Sequence, residues 1–269
     1  MAGLVASLAA ACSSGLSVED RIAAIADARA EVAAPASEVG TAVATVRVRL
    51  EGFAAHPSPP EHAALVAANA DLEDALTGLD DLDGLGVDAE VPDVIAAADA
   101  IAAARAAAAD VVDAVADVID VGAVLVDSEP PLEELVAAWD DAGSRSQLIA
   151  HFDELTDEAT ALVDEITTAV GTVPPGACPS PLDERVQMAV VAAEVSAELG
   201  DLVAAYQGTR FDERRAELRA DPFGLGPPDI ARPLGDDCPM IARAVDATTG
   251  VDAALDALET ALNPTDLAG

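Results

Sequence analysis

SVEDRIAAIADARAEVAAPASEVGTAVATVRVRLEGFAAH, residues 17–56, decides the fold class. Its apolar residues Ile22, Ile25, Val32, Val39, Val43, Val46, Leu50 and Phe53 fall on one alternating three-four series, with Arg29 and Ala36 filling the gaps. That spacing lays a single stripe along an α-helix, whereas a strand would alternate with period two. Ser17, followed three residues later by Asp20, is a capping-box-like start. The register survives Pro35, so the stretch reads as one long helix with a kink and not as two helices. It ends at His56-Pro-Ser-Pro-Pro.

The same period recurs outward from this segment. A second helix starts from Ser58 and carries Leu65, Leu72, Leu76 and Leu79 on one stripe, which makes an antiparallel hairpin with the first. After the break LDDLDGLGVDAEVP, a long helix is expected from about Asp93 to Val126. Its Asp110, Asp113, Asp117 and Asp120 mark a solvated face and argue against a membrane span. Leu132, Leu135, Val136 and Trp139 predict a short helix, and from Ser144 the series resumes as Leu148, Phe152, Leu155, Ala159, Leu162, Ile166 and Val170. Val191, Val195, Leu199, Leu202 and Tyr206 define the next helix, which Gly208 is expected to interrupt. Thr209 with Asp212 then caps a short Arg-rich helix. A Pro/Gly-rich linker leads to the last stripe, Ile241, Val245, Leu255, Leu258 and Leu262.

The expected fold is therefore all-α, an elongated antiparallel bundle of about six to seven helices. Aligned without gaps, Ser17 to Val46 and Ser144 to Val173 match their serines and set EVGTAVATV against EITTAVGTV; Pro92 with Asp99 parallels Pro239 with Asp246. Two related three-helix halves would produce this, and so would chance matching in an Ala/Val/Thr-rich chain. The corresponding division is a segment 1–16, a first helical half 17–129 and a second helical half 130–269.

Composition bounds the function. Fifty acidic residues stand against 13 arginines and no lysine, for a net charge of -37, a surface that repels nucleic acid and anionic lipid alike. Hydrophobic residues make up 52% of the chain but aromatics only 2%, so the core must be built from Ala, Val, Leu and Ile. Such faces let helices approach closely.

The N-terminal stretch MAGLVASLAAACSSG is small and apolar up to Cys12. Its end, LAAACSSG, resembles the lipobox of bacterial lipoproteins, and the lysine-free, Ala/Val/Arg/Asp-rich composition resembles the coding bias of GC-rich actinobacteria. The resemblance implies that Cys12 is lipidated and that the protein is exported and anchored to the cell membrane from outside the cytoplasm. An unknown protein or envelope component would be its partner, and nucleic acid would not. With Cys12 so committed, Cys178 and Cys238 remain as an even pair in an oxidising compartment, where a disulfide is the default. Two unrelated buried thiols in a cytosolic protein are the alternative.

Chemistry-bearing motifs are sparse. His56 and His62 in HPSPPEH lack zinc-peptidase spacing. His151, Glu154 and Glu158 share a helix face and offer a carboxylate-imidazole metal site if another helix helps. Asp81, Asp83 and Gly86 match part of a calcium loop, but Leu85 and Pro92 stand where ligands are needed. Arg210, Arg214, Arg215 and Arg219 crowd ten residues, either as an anion or partner patch or as internal counterions for Asp212, Glu213, Glu217 and the acidic remainder. The expected function is a non-enzymatic binding or envelope-structural module with no catalytic residue, cofactor or metal. Two alternatives stay open: a metal-binding protein or metal-dependent enzyme using His151, and a cytosolic helical scaffold.

Overall fold

In the computed structural model the described residues are 17–80, 82, 92–174, 176–224, 234 and 238–263. They form eight α-helices and no strand: α1 Val18–Ala55, α2 Pro59–Asp80, α3 Pro92–Asp127, α4 Glu129–Ala138, α5 Arg145–Thr172, α6 Pro179–Ala204, α7 Gly208–Ala220 and α8 Pro239–Ala261. The protein is all-α, and α1 runs unbroken through Pro35. Ile25, Val32, Val39, Val43, Val46, Leu50 and Phe53 are all buried, while Ile22, in the second turn of the helix, is largely exposed. Among the described residues, no helix is long and apolar enough to cross a membrane.

The chain divides into two compact units that are discontinuous in sequence. The first gathers residues up to Leu50, Ala64–Ala116 and the chain from Arg243 onward. Within it α1 and α2 are antiparallel: Thr41 and Thr45 lie across a groove from Asp74 and Asp71, and Pro35 faces Gly78. The last helix, α8, also runs antiparallel to α1. Leu255 meets Gly40, and two turns further along α1 Arg47 donates to Thr248 Oγ1 at 3.0 Å and pairs with Asp252 at 2.6 Å. Arg105 of α3 donates to the Leu79 carbonyl and pairs with Asp80, placing a cation where the last turn of α2 leaves carbonyls unsatisfied. Buried alanines Ala28, Ala42, Ala68, Ala97, Ala104 and Ala108 alternate with Val, Leu and Ile, and no aromatic residue belongs to this unit.

The second unit comprises Glu51–Ala63 and Asp117–Ala242, and every Phe, Trp and Tyr of the chain belongs to it. Its centre is the antiparallel hairpin of α5 and α6, where Phe152 lies against Gly200. Phe152 also meets Phe211 of α7 edge-on, with ring centroids 5.8 Å apart. Trp139, the residue that ends α4, is buried with its indole Nε1 donating to Ser196 Oγ of α6 at 3.0 Å and its ring edge-on to Phe223. At the other end, Phe53 and His62 close on Gly122 of α3, and His62 Nε2 hydrogen-bonds the Ile119 carbonyl at 2.9 Å. A Cβ at Gly122 would lie 2.6 Å from His62 Cδ2 and 2.8 Å from Phe53 Cζ, so only glycine permits this approach.

Cys178 and Cys238 form a disulfide, with Cα atoms 4.2 Å apart and a sequence separation of 60. Cys178 is the N-cap of α6, and Pro179 and Pro239 open α6 and α8, so the bridge joins two helix starts. Constraining a loop of that length in the unfolded chain contributes about 4 kcal/mol on the chain-entropy estimate.

The two similar segments hold equivalent positions in α1 and α5. Ser17 exchanges hydrogen bonds with Asp20, and Ser144 forms the corresponding box with Gln147. Ile25 and Phe152, Val32 and Ala159, Val39 and Ile166, and Val46 and Val173 are buried in matched pairs. The hydroxyls of Thr41 and Thr168 both bond the carbonyl four residues back.

Two sequence expectations about α6 and α7 are corrected. Tyr206 does not belong to the buried stripe of α6; it is 78% exposed, and the expected Val195 and Leu199 share that stripe with Leu182, Met188, Ala192 and Val203. Nor is Gly208 the interruption, since it is the first residue of α7, whose N-cap is Gln207 with no side-chain cap from Thr209. The break is made by Tyr206, which adopts a left-handed φ of 58°.

Candidate functional site

The Arg-rich segment forms α7, and the structure shows where each guanidinium goes. Arg214 bonds Glu198 of α6 at 2.9 Å and Glu217 at 3.2 Å. Arg215 and Arg219, one turn apart, converge on Asp140 at the end of α4, at 3.2 and 2.9 Å. Arg219 Nε lies within 3.0 Å of both carboxylate oxygens. Arg210 donates to Gln207 Oε1. Three of the four arginines thus ion-pair within the unit, in a geometry that ties α7 to α4 and α6.

The electrostatics follow from these pairs. The Arg219 hydrogen bond, reinforced by the charges of both arginines, holds the Asp140 carboxyl below its usual range. Glu198 and Glu217 raise the pKa of Arg214, and Asp140 raises that of Arg219. Behind the clamp a pocket of about 220 Å³ is lined by Val136, Trp139 and Leu218. A second cation, Arg185 of α6, is buried; burial lowers its pKa, and Glu129, Glu184 and Glu133 oppose that.

Sequence reading missed Arg145. As the first residue of α5 it reaches the far end of α6, where Nε donates to the Val203 carbonyl at 3.1 Å and Nη2 to the Ala204 carbonyl at 2.6 Å. Its guanidinium also stacks 3.6 Å above the Tyr206 ring. The α6 terminus is a Schellman turn: the Gln207 amide bonds Leu202 and the Tyr206 amide bonds Val203, which demands a left-handed residue at 206. Glycine is usual there, and the left-handed backbone costs a non-glycine residue roughly 1–2 kcal/mol. The Arg145 stack offsets part of that cost. A helix C-terminus rich in free carbonyls was the available signal, but nothing in the spacing identified which arginine would reach it.

The His151 imidazole pairs with neither Glu154 nor Glu158. Its Nε2 meets the Ala138 carbonyl at 3.0 Å and Asp141 at 3.6 Å, so the imidazole caps the end of α4. Among the described residues no group of three His, Cys, Asp or Glu side chains is placed to hold a metal ion. Cys12 with the rest of residues 1–16, and Asp81, Asp83, Leu85 and Gly86 of the partial calcium loop, lie outside the described residues.

A pocket of about 370 Å³ lies between the last turns of α3 and the second half of α5 in the second unit, and sequence periodicity gave no hint of it. Val124, Leu162 and Ile166 form its floor, and Asp120, Asp127 and Glu165 stand on its rim. No family model, curated protein or solved structure matches the chain.

Proposed function

We propose that this chain is an exported lipoprotein, attached to the outer face of the cell membrane through a diacylglyceryl group on Cys12. Its helical part acts there as a non-enzymatic binding or envelope-structural module. The observation that carries the reading is the distribution of cysteines: Cys178 and Cys238 pair with each other, which suits an oxidising compartment, and Cys12 is left within LAAACSSG. The charge of -37 supports a covalent anchor over electrostatic adhesion, because such a surface is repelled by anionic headgroups. The internal pairing of Arg214, Arg215 and Arg219 favours a module whose partner is recognised elsewhere than on α7.

Mass spectrometry of the native N-terminus tests the anchor. A mature chain beginning at a lipid-modified Cys12, and loss of membrane attachment in Cys12→Ala, is the expected result. Native protein that retains an unmodified Met1 refutes it.

A further inference from the structure

We infer that the groove between α3 and α5 is a docking site for a basic amphipathic helix of a partner protein, an inference that rests on the binding-module reading above and gives it a place. Two features point to such an occupant. The floor, Val124, Leu162 and Ile166, is aliphatic, and the small side chains of Ala123 and Ala169 beside it let a third helix approach closely. The rim is acidic on both sides, Asp120 and Asp127 from α3 and Glu165 from α5.

Charge identifies the partner. None of these three carboxylates has a hydrogen-bond or ion-pair partner among the described residues, and no arginine lines the groove. The contrast with Asp140 and Glu198, which α7 neutralises in the same unit, is direct. Asp120 and Asp127 are seven residues apart on α3, a rise of about 10 Å. Lysines or arginines at i and i+7 of a docked helix match that spacing, while its leucines at i+3 and i+4 cover the floor. A neutral or acidic helix would bring no counterion to this rim and would leave its repulsion in place.

The test uses the full chain and a labelled synthetic helix with leucines on one face and flanking lysines seven residues apart, followed by fluorescence anisotropy. Binding that weakens as salt rises is expected, and none for the same peptide with glutamates in place of lysines. The variant Asp120→Asn/Asp127→Asn/Glu165→Gln should weaken binding about tenfold or more, from three lost ion pairs. Ala169→Leu, which fills the groove, should weaken it as well. Removing equal charge from the first unit, with Glu38→Gln/Asp71→Asn/Asp74→Asn, should change affinity less than about twofold. No binding, or equal loss in the two charge variants, overturns the inference. The state of Cys12 is read separately, so loss of docking with intact lipidation removes this site alone and leaves the anchor standing.

Discussion

Gly122→Ala provides a demanding test of the packing, because helix propensity and tertiary contact predict opposite signs. In an open helix the substitution gains about 1 kcal/mol from propensity. At Gly122 the new Cβ meets His62 Cδ2 at 2.6 Å and Phe53 Cζ at 2.8 Å, and Phe53 is fully buried. Overpacking of this kind costs about 1–3 kcal/mol, and displacing His62 from the Ile119 carbonyl adds about 0.5–1.5 kcal/mol. The net expectation is destabilisation by about 1–3 kcal/mol. Gly250→Ala is the internal control: Gly250 lies mid-way along α8 with nothing within 4 Å of a built Cβ, so propensity acts alone and stabilises by about 0.5–1 kcal/mol. Urea unfolding followed by far-ultraviolet circular dichroism measures both against the parent chain. A Gly122→Ala protein as stable as Gly250→Ala would refute the close approach of α3 to Phe53 and His62.

Two further predictions concern the second unit. Asp140→Asn should lower stability by up to about 1 kcal/mol at neutral pH, the range for a partly exposed carboxylate with two arginine partners. Because its folded pKa is depressed, the contribution is present above the unfolded value of about 3.9 and is lost as pH falls through the folded pKa. Variant and parent should therefore converge in acid, and a gap that widens there would contradict the clamp. Ser196→Ala leaves the Trp139 indole N–H buried without its acceptor and should cost about 1–3 kcal/mol, read by denaturation monitored through the emission of the only tryptophan. An unchanged midpoint would mean that the N–H finds another partner.

The helices themselves were legible because their signal is local. A three-four series, serine start signals and proline-rich breaks act within a few turns, and they located α1 through Pro35, the α1–α2 hairpin and the Ser144 start of α5. The failures sit where local rules compete with tertiary contacts. Gly208 looked like the breaker after α6, yet Tyr206 takes the left-handed position because Arg145, 61 residues away in sequence, stacks on its ring and satisfies the last carbonyls. His151 shares a helix face with two glutamates, but the end of α4 claims its imidazole. The arginines of α7 could be counted from the sequence, whereas their convergence on Asp140 and Glu198 required the packing of three helices.

By itself, the sequence determined the all-helical class, the helix registers, the alanine-rich core and the strongly acidic surface, since each depends on residue type and short-range period. Tertiary structure alone decided that α8 packs with α1 in the first unit, that every aromatic side chain belongs to the second, and that α3 and α5 frame an apolar groove with an unneutralised acidic rim. The physical reason is that a helical stripe specifies which face is buried, while its partner is chosen by shape and charge complementarity between segments far apart in the chain.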